Sequence, residues 1–251
     1  MPEQNIYKVV NKSEDSNLVR LAIPFPQTPL LVAPNFLEPG TYENVKAQAR
    51  AKNLVVPTFS QTAFIALAGF ENLDLGINYE SEQARVLYKV FAKKVEDAMR
   101  GNGFRTSTLP VYLETGFLAV DDIPENAGKQ ISSFQQLEEI LVSSENGVGY
   151  SEDRSIRYTD YGYKLGELSI SELAKHRLIL ALAGGEPGAE PLVKIVEFYK
   201  KRTGIFPHLE AMNSEDPRKT FSSIGGGDRL LIRGWGFTGY WAGISFALDK
   251  D

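Results

Sequence analysis

The chain has 251 residues, a formal net charge of −5 and a hydrophobic share of 43%. This length fits one large domain or two small ones, and the apolar share is enough for a sizeable core. The acidic balance argues against nucleic acid as a partner, because phosphate binding requires a basic surface. The absence of cysteine excludes disulfides, thiolate nucleophiles and thiolate metal sites.

The first residues carry neither a basic stretch nor an apolar core, so we expect no signal peptide. The longest apolar runs, residues 63–70 and 178–183, are far shorter than the roughly 20 residues of a membrane helix. We therefore expect a soluble protein without a membrane span, either cytoplasmic or virion-associated.

Short strands are predicted over residues 7–10, 18–23 and 30–33, and the prolines around the third strand predict a sheet edge. Thr41 caps a predicted helix to residue 53. Thr58 and Gln61 have the spacing of a capping box, which predicts a buried helix to about residue 69.

A longer helix is predicted over residues 81–99. One buried stripe of this helix is predicted to contain Val86, Leu87, Val90, Phe91, Val95 and Met99. Residues 109–120 are predicted to form either a hairpin or a long strand that is broken at residues 115–116.

Capping residues predict helices over residues 133–142 and 169–183, and Pro191 is placed in the first turn of a helix to 202. Residues 206–224 are predicted to be irregular. Helices among short strands, without regular β-α alternation, favour an α+β fold.

Motifs for chemistry are absent from the sequence. His176 and His208 are isolated, and the glycine-rich segments lack the lysine of a phosphate loop. No serine or threonine has an evident base. We therefore predict no catalytic residue, no metal site and no cofactor. A weaker alternative is a hydrolase using Glu114 and Asp121, which would require a cleft that brings the two carboxylates together.

One aromatic group lies around residues 150–163, where four tyrosines alternate with charged residues. Tyrosine is typical of binding loops because its ring offers contact area at low entropic cost. Packing of this loop on the protein body is nevertheless the favoured interpretation. The tyrosines are Tyr150, Tyr158, Tyr161 and Tyr163.

A second aromatic group occupies the C-terminal tail. A strand over residues 229–233, a turn near residue 239 and a returning strand over 240–248 predict a hairpin. Strict alternation places Arg233, Trp235 and Phe237 on one face, because side chains of a strand point alternately to opposite sides. Aromatic residues and arginine dominate binding hot spots. A core plug and a binding face both remain open at this point.

Residues 41–69 resemble the helix, Leu-Pro-Thr and helix segment of C-type-lectin-fold proteins of the formylglycine-generating-enzyme type. Residues 233–237 and 243–248 resemble degenerate forms of the closing motifs of that family. The resemblance implies an α+β, C-type-lectin-like single domain over residues 1–251, with short twisted antiparallel sheets and flanking helices. It also implies helical insertions around residues 80–100 and 121–220.

Among these proteins, the chain is most similar to the variable proteins of diversity-generating retroelements. The enzyme branch uses cysteines, which this chain lacks, and the calcium-dependent sugar motifs are incomplete at Glu38 and Glu186. The resemblance makes Phe237, Thr238 and Tyr240 candidates for variation, because randomised adenines in asparagine codons give Phe, Thr and Tyr but not Trp. Trp235 and Trp241 would belong to the framework or come from other codons.

The leading hypothesis is a non-enzymatic protein that binds a protein or surface ligand through its C-terminal hairpin. The alternative is a structural or assembly subunit that uses the same tail as an intersubunit contact, which leaves oligomerisation open. The predicted ligand-binding residues are Ser222, Ser223, Arg229, Arg233, Trp235, Phe237, Thr238, Tyr240 and Trp241.

Overall fold

The computed structural model has an α+β architecture of short, largely antiparallel sheets with flanking helices, as predicted. It describes residues 6–11, 19–73, 77–101, 103–127, 129, 131, 134–164, 166–203, 208–210, 223–225, 231–233 and 244–250.

A six-stranded sheet joins the two ends of the chain. In spatial order its strands are β4 (Leu54–Val55), β16 (Leu248–Asp249), β3 (Leu30–Val32), β2 (Val19–Ile23), β1 (Ile6–Asn11) and β5 (Asn78–Tyr79). The C-terminal strand β16 lies between β3 and β4, and Arg20 of β2 donates from Nε to Asp249 Oδ1 at 2.7 Å. The prediction that β3 is an edge strand is therefore wrong. Pro29 and Pro34 flank this strand rather than interrupt it, so its hydrogen-bonding groups stay available on both sides.

The second sheet is fully antiparallel and has its two faces packed differently. In spatial order its strands are β7 (Thr108–Tyr112), β8 (Gly116–Asp121), β11 (Ile156–Asp160), β10 (Val148–Tyr150) and β9 (Ser143–Glu145). The predicted hairpin is confirmed as β7 and β8. Leu137 of helix α4 (Phe134–Ile140) covers one face against Leu118 and Ile156, while Phe117 and Tyr150 enter the main core on the other.

The third sheet lies in the C-terminal part of the chain and includes β6. In spatial order its strands are β12 (Gly166–Glu167), β13 (His208–Glu210), β15 (Leu231–Arg233), β14 (Ser223–Gly225) and β6 (Phe104–Arg105). Only β13 and β15 run parallel among these pairs. Residues 206–224 therefore contain strands within the region that was predicted to be irregular.

The remaining helices are α1 (Tyr42–Ala51), α2 (Phe59–Glu71), α3 (Glu82–Arg100), α5 (Ile170–Leu173), α6 (Arg177–Ala183) and α7 (Glu186–Thr203), with a 3₁₀ turn at Pro124–Asn126. Four of them, α1, α2, α3 and α5, begin at side-chain caps. Thr41, Thr58, Ser81 and Ser169 each accept a hydrogen bond from a first-turn N–H, and the predicted capping box of Thr58 and Gln61 is confirmed. In the described chain, no helix is both long and apolar enough to cross a membrane.

The buried face of α3 differs from the predicted stripe. Val86 and Val90 are 52% and 51% exposed, whereas Glu96 is only 9% exposed. At 100° per residue, Val86 and Val90 lie on the opposite side of the helix from the buried residues. The prediction that Val86 and Val90 belong to the buried stripe is therefore wrong, because it was based on apolar character alone. The helix residues that are buried are Ala84, Tyr88, Phe91, Ala92, Val95, Glu96 and Met99.

Two helix boundaries also differ from the prediction. The expected helix over 169–183 breaks at His176, which is extended (φ −73°, ψ 118°) and separates α5 from α6. Helix α7 begins at Glu186, so Pro191 lies in its interior rather than in its first turn. A Cβ at Gly188 would collide with the Ala183 carbonyl, so the absence of a side chain lets the first turn of α7 pack onto the end of α6.

A buried arginine ties the second sheet to α6. Arg157 is 1% exposed, and its guanidinium donates to both carboxylate oxygens of Asp121, at 2.5 and 3.0 Å. The same group donates to the carbonyls of Ala181 (2.7 Å) and Leu182 (3.1 Å) near the end of α6, and to Arg154 (2.9 Å). A cation at a helix C-terminus is favourable because the terminal carbonyls carry partial negative charge.

The series of hydrogen bonds continues from Asp121 to the first residue of α2. Thr108 donates from Oγ1 to Asp121 at 2.5 Å and accepts the N–H of Phe59 at 2.9 Å. Since Phe59 is the first residue of α2, one polar chain connects the start of α2 to the end of α6 through the sheet.

We predict that Arg157→Met lowers the free energy of unfolding by about 3–5 kcal/mol, because it leaves the Asp121 carboxylate without its cation in a buried site. Denaturant unfolding at neutral pH measures this. Asp160→Asn is the control, since Asp160 pairs with Arg177 at the surface and its loss should cost less than about 1 kcal/mol. Equal costs for the two variants would contradict the role given to Arg157.

Candidate functional site

Two of the predicted ligand-binding residues fall within described strands, Ser223 in β14 and Arg233 in β15. Ser223 and Arg233 belong to the described backbone, where they are directly opposite each other in the antiparallel pair of β14 and β15. The other predicted residues lie outside the described residues: Ser222, Arg229, Trp235, Phe237, Thr238, Tyr240 and Trp241.

The predicted tail hairpin is wrong for the described residues. Strand β15 pairs with β13 on one side and β14 on the other, so its two edges are occupied. The returning residues pair elsewhere: Ile244 bridges to Phe104, Ser245 bridges to Leu37, and Leu248 pairs with β3 and β4. A strand of three residues gives too little pattern to predict its neighbours, which are set by tertiary packing.

The residues before the tail are held by a close crossing of two backbones. Ser223 and Ile224 pair with Arg105 and Phe104, so β14 lies directly beside β6. A Cβ at Gly225 would collide with the backbone of Gly103. A glycine run such as residues 225–227 is typical of a flexible turn, but Gly225 ends β14, and its lack of a side chain allows the two backbones to approach closely.

The residues after the tail are fixed to the same strand β6. Arg105 donates its N–H to the Ile244 carbonyl at 2.9 Å, and Ser245 Oγ donates to the Arg105 carbonyl at 3.0 Å. Phe246 is fully buried and stacks on Phe104, with ring centroids 4.1 Å apart. The sequence predicted an extended strand over residues 240–248, but not its partners Leu37 and Phe104, which lie far away in the chain and leave no local pattern.

We call residues 234–243 the terminal segment. The described residues on either side of it, in β15 and at Ile244 and Ser245, are held by the contacts given above, and we call these contacts its base. The chain leaves β15 after Arg233 and returns at Ile244, beside β6 on the side away from β14. The two ends are therefore about three interstrand spacings apart, roughly 14 Å. Eleven Cα–Cα steps can reach up to roughly 36 Å, so the chain length exceeds the gap more than twofold.

Arg105 adds a buried cation at this base. It is 3% exposed, and burial lowers its pKa to about 10. Its guanidinium therefore remains charged at neutral pH.

Three tyrosines of the group at residues 150–163 pack on the protein body, as favoured, whereas Tyr161 is 41% exposed. Tyr150 is buried, and the Arg154 guanidinium lies 4.2 Å from its ring centroid. The hydroxyls of Tyr158 and Tyr161 donate to carbonyls of the β7–β8 turn region, Thr115 (2.9 Å) and Leu113 (2.5 Å). These contacts occupy the polar ends of the rings.

The carboxylates of the hydrolase alternative are not brought together. Asp121 ends β8 and is held by Arg157, whereas Glu114 is exposed in the turn before β8. The length of β8 separates them by roughly 17 Å or more, far beyond the roughly 5–9.5 Å of catalytic carboxyl pairs.

The ring of His176 lies against the backbone. Its Nε2 is 2.6 Å from the Lys164 carbonyl, and burial lowers its pKa. Across the residues whose positions are described, no group of three or more His, Asp or Glu side chains could hold a metal ion.

Comparison with known proteins shows that the architecture of this chain is similar to that of one solved structure. No family model and no curated protein matches the chain. A solved structure from work on Nanoarchaeota, described as "Accommodation of massive sequence variation in Nanoarchaeota by the C-type lectin fold", is similar in overall architecture. The identity is 11%, the match covers 87% of this chain and 95% of that chain, and the TM-score is 0.45. At this level the match carries no argument about the ligand or the site.

We predict that Gly225→Ala lowers the free energy of unfolding by about 1–3 kcal/mol, because two backbones must separate to admit the methyl group. Gly101→Ala is the matched control, since its Cβ would meet its nearest neighbour, the Asp97 carbonyl oxygen, at an ordinary 3.5 Å. Thermal unfolding of both variants checks this. Equal stability of Gly225→Ala and the wild type would show that β6 and β14 do not cross as closely as described.

Proposed function

We propose that this protein is a non-enzymatic recognition protein that binds a protein or surface ligand through the terminal segment and the strands beside it. The observation that carries the proposal is the anchoring of both ends of that segment on one sheet. Hydrogen bonds hold Ile244 and Ser245 at one end, and strand pairing holds Arg233 at the other.

The composition of the terminal segment supports recognition at this position. It contains both tryptophans of the chain, together with Phe237 and Tyr240. Large rings next to an arginine are the residues that contribute most to binding hot spots. Two fixed ends reduce the conformational entropy that such a segment would lose on binding, and this favours affinity.

The C-type-lectin-like assignment belongs to the same proposal. The pairing of β16 with β4 supports it, since Leu248 and Val55 belong to two of the segments that carry the resemblance. We propose further that the protein is the variable protein of a diversity-generating retroelement. A reverse transcriptase and a near-copy of the coding region for the tail beside the gene would support this role. Their absence would contradict it without affecting ligand binding.

We predict that the double variant Phe237→Ser and Tyr240→Ser changes the free energy of unfolding by less than about 1 kcal/mol, because surface side chains contribute little to stability. Phe246→Ala is the control and should cost about 3–5 kcal/mol, because its ring is fully buried. Denaturant unfolding measures both. A loss of several kcal/mol in the double variant would place its rings in the core and contradict the proposal.

Sedimentation of the wild type and of Tyr240→Ala separates ligand binding from assembly. The recognition proposal predicts that Tyr240→Ala leaves the oligomeric state unchanged. A stable oligomer that Tyr240→Ala dissociates would instead identify the tail as an intersubunit contact.

A further inference from the structure

A small cavity lies between β1, the proline-containing turn after β2, and helices α2 and α7, and it shares no residue with the terminal segment. Its volume is about 280 Å³. Pockets for drug-sized ligands usually span about 300–1,000 Å³, so this cavity suits a smaller molecule.

The floor and walls of the cavity are apolar and aromatic. Phe25 and Phe64 meet edge to face, with ring centroids 5.0 Å apart, and Leu67 and Ala68 of α2 complete the surface. Pro24 and Pro26 restrict the backbone of the turn that carries Phe25. The apolar wall is therefore held in place before any ligand binds.

The polar end of the cavity is a carboxylate held by a buried tyrosine. Tyr7 is 1% exposed and donates its hydroxyl hydrogen bond to Glu71 Oε2. Its ring is packed against Tyr88, with centroids 4.8 Å apart, and the Tyr88 hydroxyl bonds to the Ala22 carbonyl at 2.8 Å. Burial, followed by the Glu71 charge, raises the pKa of Tyr7, so its hydroxyl stays protonated and acts as a donor.

Among the residues whose side chains are described, no cation lies within 4 Å of this carboxylate. Lys194 also lines the cavity, but its ammonium pairs with Glu190 at 2.7 Å. Tyr7 uses Oε2, which leaves Oε1 as a hydrogen-bond acceptor for a molecule in the cavity.

We propose that this cavity binds a small organic ammonium compound with an aryl or branched alkyl body. The ammonium group would donate to Glu71 Oε1, since charge-assisted hydrogen bonds are the stronger kind. The body would contact Phe25, Phe64 and Leu67, and the aromatic faces add attraction for a cation. An anionic compound of the same shape would face the Glu71 charge and bind poorly.

The test compares two probes of opposite charge and similar shape, 2-phenylethylamine and 3-phenylpropanoate, on the wild-type protein. Methyl resonances of Leu67 and Ala68 report occupancy by NMR titration. We expect saturable shifts with the amine and an affinity at least about tenfold lower for the acid, as a lost charged hydrogen bond corresponds to about 10–100-fold. Equal affinities, or no shift by either probe up to about 10 mM, would overturn the proposal.

A pair of variants then assigns the contact. Glu71→Gln keeps an acceptor for Tyr7 and should weaken amine binding about 10–100-fold. Glu197→Gln on the exposed face of α7 is the matched control and should leave binding unchanged. Unchanged amine binding in Glu71→Gln would also overturn the proposal, and the comparison of the two probes decides the matter if that variant fails to fold. Neither result bears on the terminal segment.

Discussion

The buried ion pair of Arg157 and Asp121 is the interaction on which the arrangement of sheet and helices depends. It lies where the second sheet meets the end of α6, and the Arg157 guanidinium donates to the Asp121 carboxylate and to three backbone carbonyls. A buried ion pair adds little stability compared with well-packed apolar residues, but it disfavours arrangements in which either charge is unpaired. The pair therefore favours the observed packing of α2, the second sheet and α6 over arrangements that leave either charge unpaired.

The second constraint concerns the chain ends. Strand β16 enters the sheet between β3 and β4, and the buried pair of Arg20 and Asp249 holds it there. Phe246, just before β16, packs against Phe36 and Phe104. The chain therefore returns from the terminal segment directly into the aromatic core, which fixes the position of Ile244 independently of β15.

The sequence predicted the features whose causes are local. The caps at Thr41, Thr58 and Ser169 and the β7–β8 hairpin follow from residues within a few positions of each other, and all are observed. Features set by distant partners were missed. The break at His176 coincides with its contact to the Lys164 carbonyl and with packing of α6 below the second sheet, neither of which leaves a periodic pattern.

The candidate site was predictable only in part, because residue types are visible in the sequence whereas pairing with distant strands is not. Residue types located the candidate surface in the tail, but they could not give the pairing of three-residue strands such as β15, whose two neighbours come from other parts of the chain. The cavity near Glu71 had no sequence signal, because Tyr7, Phe25 and Glu71 are far apart in the chain and meet only through the fold.

Hydroxyl-radical footprinting with mass spectrometry tests the central claim most directly, namely that the rings of the terminal segment face outward. The oxidation rates of Trp235, Phe237 and Tyr240 are compared with that of the buried Phe246, after correction for intrinsic reactivity. The account predicts fast oxidation of all three rings and slow oxidation of Phe246. Protection of all three rings to the level of Phe246 in the monomeric protein would contradict it.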